Sequence, residues 1–216
     1  MDKEAILKKT EEFVRLTLEG EGTGHDWWHI HRVRNTALTL AKEEQAETFI
    51  VELAALLHDI ADWKFYNGDT AVGPKVAREW LEKWDVPEPI IAHVCEIIER
   101  ISFKGAGVLN LMKSKEGLCV QDADRLDGLG AIGIARAFAY GGSKGRELHN
   151  PNIKPVLHST FEQYKSDKGS TLNHFYEKLF LLKDRLNTQA AKRIAEDRHQ
   201  FMEEYVKRFL SEWEGN

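Results

Sequence analysis

The sequence predicts an all-α protein folded as a single helical bundle over residues 1–216. Three observations carry this expectation. Apolar residues recur at helical spacing along most of the chain, no run alternates polar and apolar residues long enough for a strand, and no repeat or low-complexity tract divides it.

The elements follow in order. Met1 to Lys9 is charged and helical in pattern, unlike a signal peptide. Asp26 is placed to cap a helix after the Gly22–Thr23–Gly24 loop, with Ile30, Val33, Ala37, Leu40 and Ala41 on one face. A second helix, from about Phe49 to Ala61, is apolar nearly all round and belongs in the middle of the bundle. A third spans about Thr70 to Lys83. Pro87 opens a fourth, with Ile90, Ile91, Val94, Ile97, Ile98 and Ile101 along it. Another is expected from about Asp122 to Tyr140, ended by Gly141 and Gly142. The polar segment Ser143 to Pro155, with two prolines, reads as the core of a long loop near 141–158. Later helices carry Phe175, Leu179, Leu182 and Leu186, then Ile194, Phe201, Tyr205 and Phe209, and complete the bundle.

Composition narrows the function classes. Thirty basic and 35 acidic residues give a formal net charge of −5, so nucleic acid is not the expected partner. A small anionic substrate remains open, because a metal ion and a few Lys or Arg outweigh a mild global charge locally. No stretch approaches the ~18 apolar residues of a membrane span. The two cysteines, Cys95 and Cys119, form no CxxC pair and read as free thiols. A cytoplasmic protein is expected; a homodimer is an option that no motif decides.

The chemistry lies in three segments. His58–Asp59 interrupts the apolar run Leu53-Ala-Ala-Leu-Leu-His-Asp-Ile-Ala-Asp62, where an ionisable pair is costly unless it is paired or binds a metal. A buried His–Asp hydrogen bond would also explain the pair taken alone. Two further segments favour a site: His25-Asp-Trp-Trp-His-Ile-His-Arg-Val33, where Ile30 and Val33 mark the buried side beside His29, and Val120-Gln-Asp-Ala-Asp-Arg-Leu-Asp-Gly128, with Asp122, Asp124 and Asp127 among small residues. Two imidazoles and two carboxylates suit Mn²⁺, Mg²⁺, Co²⁺, Ni²⁺ or Fe²⁺ better than a structural zinc, which would want thiolates. Such an ion would acidify bound water and polarise a phosphoryl group.

His-x-x-Arg-Val, then His-Asp, then Asp-Ala-Asp-Arg-Leu-Asp resembles the motif order of HD-superfamily hydrolases. The resemblance extends to the bacterial YpgQ-type branch through Ile101-Ser-Phe-Lys and His174-Phe-Tyr-Glu-Lys-Leu, and covers about Gly24 to Phe201. It implies an all-α HD fold with metal ligands at His29, His58, Asp59 and Asp124, and one divalent ion, with Mn²⁺ foremost. It also implies hydrolysis of (deoxy)nucleoside triphosphates to monophosphate and pyrophosphate. A phosphatase or phosphodiesterase on another nucleotide, or a nucleotide-sensing module without turnover, is the alternative.

Candidates for catalysis are Asp62, which shares a helix face with His58 and Asp59, His93, which interrupts an apolar face, and Asp127. Candidates for substrate contact are His25 and Asp26 at the pocket rim, and Lys104, Lys144 and Arg146 for phosphate. Arg125 is expected to pair with the neighbouring acids. Trp27 and Trp28 are expected in the core, and His31 toward solvent. His174 and Lys178 stand i, i+4 on a late helix.

Overall fold

The computed structural model describes residues 1–20, 24, 26–61, 69, 71–103, 111–157, 160 and 169–216. Among the described residues all regular structure is helical, as the periodicity predicts. None of their helices is long and apolar enough to cross a membrane. The helices gather into two compact units, one of residues 1–102 and 110–123, the other of residues 103–109 and 124–216.

In the first unit, α1 (Lys3–Thr17) is capped by Asp2, whose carboxylate accepts from the Ala5 N–H. It buries Ile6, Thr10 and Val14 at helical spacing. α2 (Trp27–Glu44) starts at the predicted cap, Asp26, and ends at Gln45, which adopts a left-handed conformation with φ 55°. α3 (Thr48–Leu57) packs against α1, α2 and α5 (Glu88–Ile101), and its residues from Leu53 to Leu57 have no exposed surface. That is the central helix expected from its all-round apolarity. Arg34 of α2 binds Glu11 of α1 at 2.7 Å and Glu52 of α3, fixing three helices to one another. Burial lowers the proton affinity of this guanidinium, and the hydrogen bonds to Glu52 and Glu11 raise it above the ordinary value. α4 (Val72–Glu82) packs along α5, which Pro87 opens as predicted.

Two helix limits differ from the sequence expectation. α3 stops at Leu57 rather than Ala61, and residues 58–61 form turns. The His58 imidazole takes the Ala55 carbonyl, which a continuing helix would give to the N–H of residue 59. The helix expected from Asp122 to Tyr140 is two, α6 (Lys115–Asp127) and α7 (Gly130–Ser143). The chain turns between them, with the Gly128 N–H bonded to the Arg125 carbonyl, the Leu129 N–H to the Leu126 carbonyl, and Gly130 left-handed at φ 69°. α6 crosses from the first unit, which ends at Ala123, to the second, which resumes at Asp124.

In the second unit, α7 packs against the long C-terminal helix. Residues 144–157 have no helix or strand, while 141–143, placed in the loop by the sequence, still belong to α7. Then come a π-helical turn (Phe175–Leu179), the short α8 (Phe180–Leu182), a 3₁₀ turn (Lys183–Arg185) and α9 (Gln189–Trp213), capped by Thr188. Phe175, fully buried, meets Phe138, Phe180 and Tyr205 ring to ring.

Candidate metal centre

The start of α2 places His29. The Asp26 carboxylate accepts from the His29 N–H at 2.9 Å, so the cap that begins the helix also holds the backbone of the first candidate ligand. The end of α3 places the other two, since His58 and Asp59 lie on the turn that follows Leu57.

The three side chains converge. His29 Nε2 and His58 Nε2 are 3.1 Å apart, and Asp59 Oδ2 lies 3.3 Å from the first and 3.6 Å from the second. One donor atom from each falls within 4.8 Å of the others. His29 has no exposed surface and His58 is 5% exposed. A carbonyl can only accept, so His58 Nδ1, 2.8 Å from the Ala55 oxygen, carries a proton there. With Nδ1 as the donor, Nε2 is the ring nitrogen left to face His29 and Asp59, which is the tautomer a metal requires. Two imidazole nitrogens and a carboxylate oxygen at one buried point fit a divalent ion of the first transition row, with positions left for oxygen ligands.

The other candidates fall as follows. Asp124 is half-buried on α6, the first α6 residue of the second unit. Asp127, 5% exposed, binds Arg136 Nη1 at 3.1 Å. Arg125 donates to the Arg185 carbonyl, a main-chain contact not expected from the acidic neighbourhood. His93 Nε2 lies 3.8 Å from Glu116 Oε2, beyond hydrogen-bond reach. Asp26 caps α2 and lines a cleft of about 570 Å³ with Trp27, Trp28 and the end of α1. Trp27 is buried as expected. Trp28 is 59% exposed, against the expected core position, with His31 edge-on to its ring. Lys144 reaches over the Tyr140 ring, and the Arg146 N–H closes on the Gly141 carbonyl. His25, Asp62 and Lys104 lie outside the described residues.

The sequence reading holds Phe103 only inside the segment Ile101-Ser-Phe-Lys and gives neither it nor Arg185 a role. With Lys178 they meet around one aromatic ring. Separations of 75 and 82 positions along the chain carry no periodic signal that would have joined them.

Comparison with known proteins agrees with this geometry. The HD domain family matches residues 27–129, a span that contains His29, His58, Asp59 and Asp124. YpgQ of Bacillus subtilis (strain 168) is 38% identical over 205 residues, covering 93% of this chain and 92% of YpgQ. A Lactobacillus plantarum protein of known structure superposes with a TM-score of 0.90 at 37% identity, covering both chains in full. An HD-superfamily hydrolase from Bacillus thuringiensis superposes at 0.74 and 45% identity, covering 99% of this chain and 100% of its own. YpgQ in complex with ADP superposes at 0.71 and 33% identity, covering 95% and 97%. On a buried His–His–Asp cluster inside the matched span and on relatives that cover nearly the whole chain, this protein belongs to the HD superfamily, alongside YpgQ.

Proposed function

We propose that this protein is a divalent-metal-dependent nucleotide phosphohydrolase that cleaves (deoxy)nucleoside triphosphates to monophosphate and pyrophosphate. The observation that carries the reading is the convergence of His29, His58 and Asp59 on one buried point. YpgQ, crystallised with ADP, supports a nucleotide as the ligand class.

His29, His58 and Asp59 would hold the ion, with Asp124 as the fourth ligand from its place in the family motif. A bound divalent ion, Mn²⁺ foremost, supplies Lewis acidity and a water made acidic enough to attack phosphorus at neutral pH. The protein does the rest. Asp26 begins α2 at a fixed point and so sets His29. The Ala55 carbonyl fixes the His58 ring and its tautomer. For the water's proton we assign as acceptor Asp62, or His93 with Asp127, from their sequence positions. Lys104, Lys144 and Arg146 are assigned to phosphate contact, and His25 and Asp26 to the rim, on the same sequence grounds.

The test is turnover by the metal-stripped protein resupplied with Mn²⁺, across nucleoside and deoxynucleoside triphosphates, with the products separated. Monophosphate plus pyrophosphate is the expected result. Orthophosphate release would keep the site and change the bond cleaved. Nucleotide binding without turnover under any ion would make the protein a sensor.

A further inference from the structure

α3 is apolar on every side from Leu53 to Leu57, and none of these residues has exposed surface. Apolar burial alone is therefore nearly indifferent to a turn of this helix about its axis. After Thr48 at its start, Glu52 is the only polar side chain that α3 carries. That side chain is 14% exposed and is bound by Arg34 of α2, through Nε at 2.8 Å and through Nη2 to the same oxygen. Nη1 of Arg34 donates to Glu11 of α1 at 2.7 Å, and the Glu11 side chain is 38% exposed.

The Arg34–Glu52 pair lies in register with the metal cluster. His29 stands five positions before Arg34 on α2, and His58 six positions after Glu52. Both contacts therefore follow one antiparallel pairing of α2 with α3, inside the first unit. The Ala55 carbonyl that fixes the His58 ring belongs to the same helix, three positions past Glu52. The covalent link between the two helices, residues 45–47, is at their other end. A slip of one residue moves a helix by about 1.5 Å along its axis and turns its side chains by about 100°, enough to part His58 from His29. Either movement breaks the Arg34–Glu52 contact and strands a poorly hydrated charge, a cost that apolar packing does not impose.

We propose that Arg34 and Glu52 are positioning residues for the metal centre: their ion pair sets the register of α3 against α2 and so brings His58 to His29. The proposal rests on the reading of His29, His58 and Asp59 as ligands of a divalent ion. Glu11 shares the same guanidinium but stands on α1, which carries none of the three. It contributes to stability and not to the register.

Calorimetric titration of Mn²⁺ into the metal-stripped, folded variants separates these roles. In Glu52→Ala the dissociation constant rises about tenfold, the scale on which residues that orient metal ligands act. In Glu11→Ala it stays within about twofold of the parent. The double variant Arg34→Met/Glu52→Leu replaces the pair by apolar side chains and leaves no buried charge, since Glu11 can turn to water. It keeps a urea midpoint near the parent's, yet it too binds Mn²⁺ about tenfold more weakly. A pair that only stabilised the fold would leave the Mn²⁺ affinity of the folded protein unchanged. Parental affinity in Glu52→Ala or in the double variant overturns the proposal, as does an equal loss in Glu11→Ala. Should the parent bind no Mn²⁺, the reading of the cluster as a metal site fails by itself. Crystal structures of the parent and the double variant then decide the register: His29 and His58 further apart by about 1 Å or more supports it, and an unchanged separation overturns it.

Discussion

His29 Nε2 and His58 Nε2 face each other at 3.1 Å, and the second is held as a lone-pair donor because its other nitrogen donates to the Ala55 carbonyl. With His29 Nε2 and Asp59 beside it, a cation satisfies that nitrogen better than a second ring does. An ion that binds only the folded chain stabilises it by mass action, about 2.7 kcal/mol at one hundred times its dissociation constant. For a chain of this size that is a rise of roughly 5–10 °C in melting temperature. Thermal melts with and without Mn²⁺ should show the rise in the parent and none in His58→Ala. Loss of a direct ligand should cost more than the roughly 10–100-fold typical of residues that only support ligands, so Asp59→Ala should lose turnover beyond that range. Asp59→Ala at full activity would remove the site from consideration.

The cap of α2 separates two roles for Asp26. Its carboxylate accepts from the His29 N–H, so Asp26→Ala should destabilise the fold by about 1 kcal/mol and weaken Mn²⁺ binding together. Asp26→Ser supplies another capping oxygen and should restore both. If Asp26 also contacts substrate at the rim, the serine variant will keep stability and Mn²⁺ affinity but show a raised KM. Denaturant titration, Mn²⁺ titration and steady-state kinetics on the two variants read the three quantities separately.

How far the sequence discloses this molecule follows from the range of each interaction. The Asp26 cap was legible because capping is a local arrangement within four residues. His58–Asp59 was legible as an ionisable pair in an apolar run. Its geometry was not, since helical spacing puts neighbours about 100° apart and the pair lies on the turn after Leu57 rather than inside the helix read from Phe49 to Ala61. The break after Asp127 was hidden because Leu126, Leu129 and Ile134 keep an apolar rhythm across it, although Gly128 and Gly130 mark the place. The Arg125 side chain also reaches a carbonyl 60 residues away, which no local pattern encodes.

That break supplies a contrast between two glycines of the same helix. A Cβ on Gly133 would lie 2.2 Å from the Gly128 carbonyl oxygen and 2.4 Å from its carbon, so the turn must open to admit it. Gly133→Ala should destabilise the protein by about 3 kcal/mol. A Cβ on Gly142, nine residues further along α7, meets nothing within 4 Å. Gly142→Ala should be neutral to stabilising, by about 0.5 kcal/mol, since alanine restricts the unfolded chain more than glycine does. Equal midpoints in urea for the two variants would mean that the α6–α7 turn is not held by this close approach.

Cys119 gives the fold a pH dependence on the alkaline side. Burial first, then the charges of Glu44, Asp122 and Glu116, push its thiol up to about 12 from an ordinary value of 9.0. The side chain has no exposed surface. A folded value above the unfolded one means that the native state keeps a proton that the unfolded chain releases. The contribution is therefore fully present below pH 9 and is lost as pH rises from there toward 12, at about 1.4 kcal/mol per pH unit. Other groups titrate in the same window, so the quantity to measure is the difference between parent and Cys119→Ala in urea-unfolding stability at pH 8, 9 and 10. The parent should fall faster above pH 9 by up to that slope, and Cys119→Ala, having no thiol to ionise, should lack that component. Parallel stability curves across the three pH values would show that the thiol ionises as readily in the folded protein as in the unfolded chain.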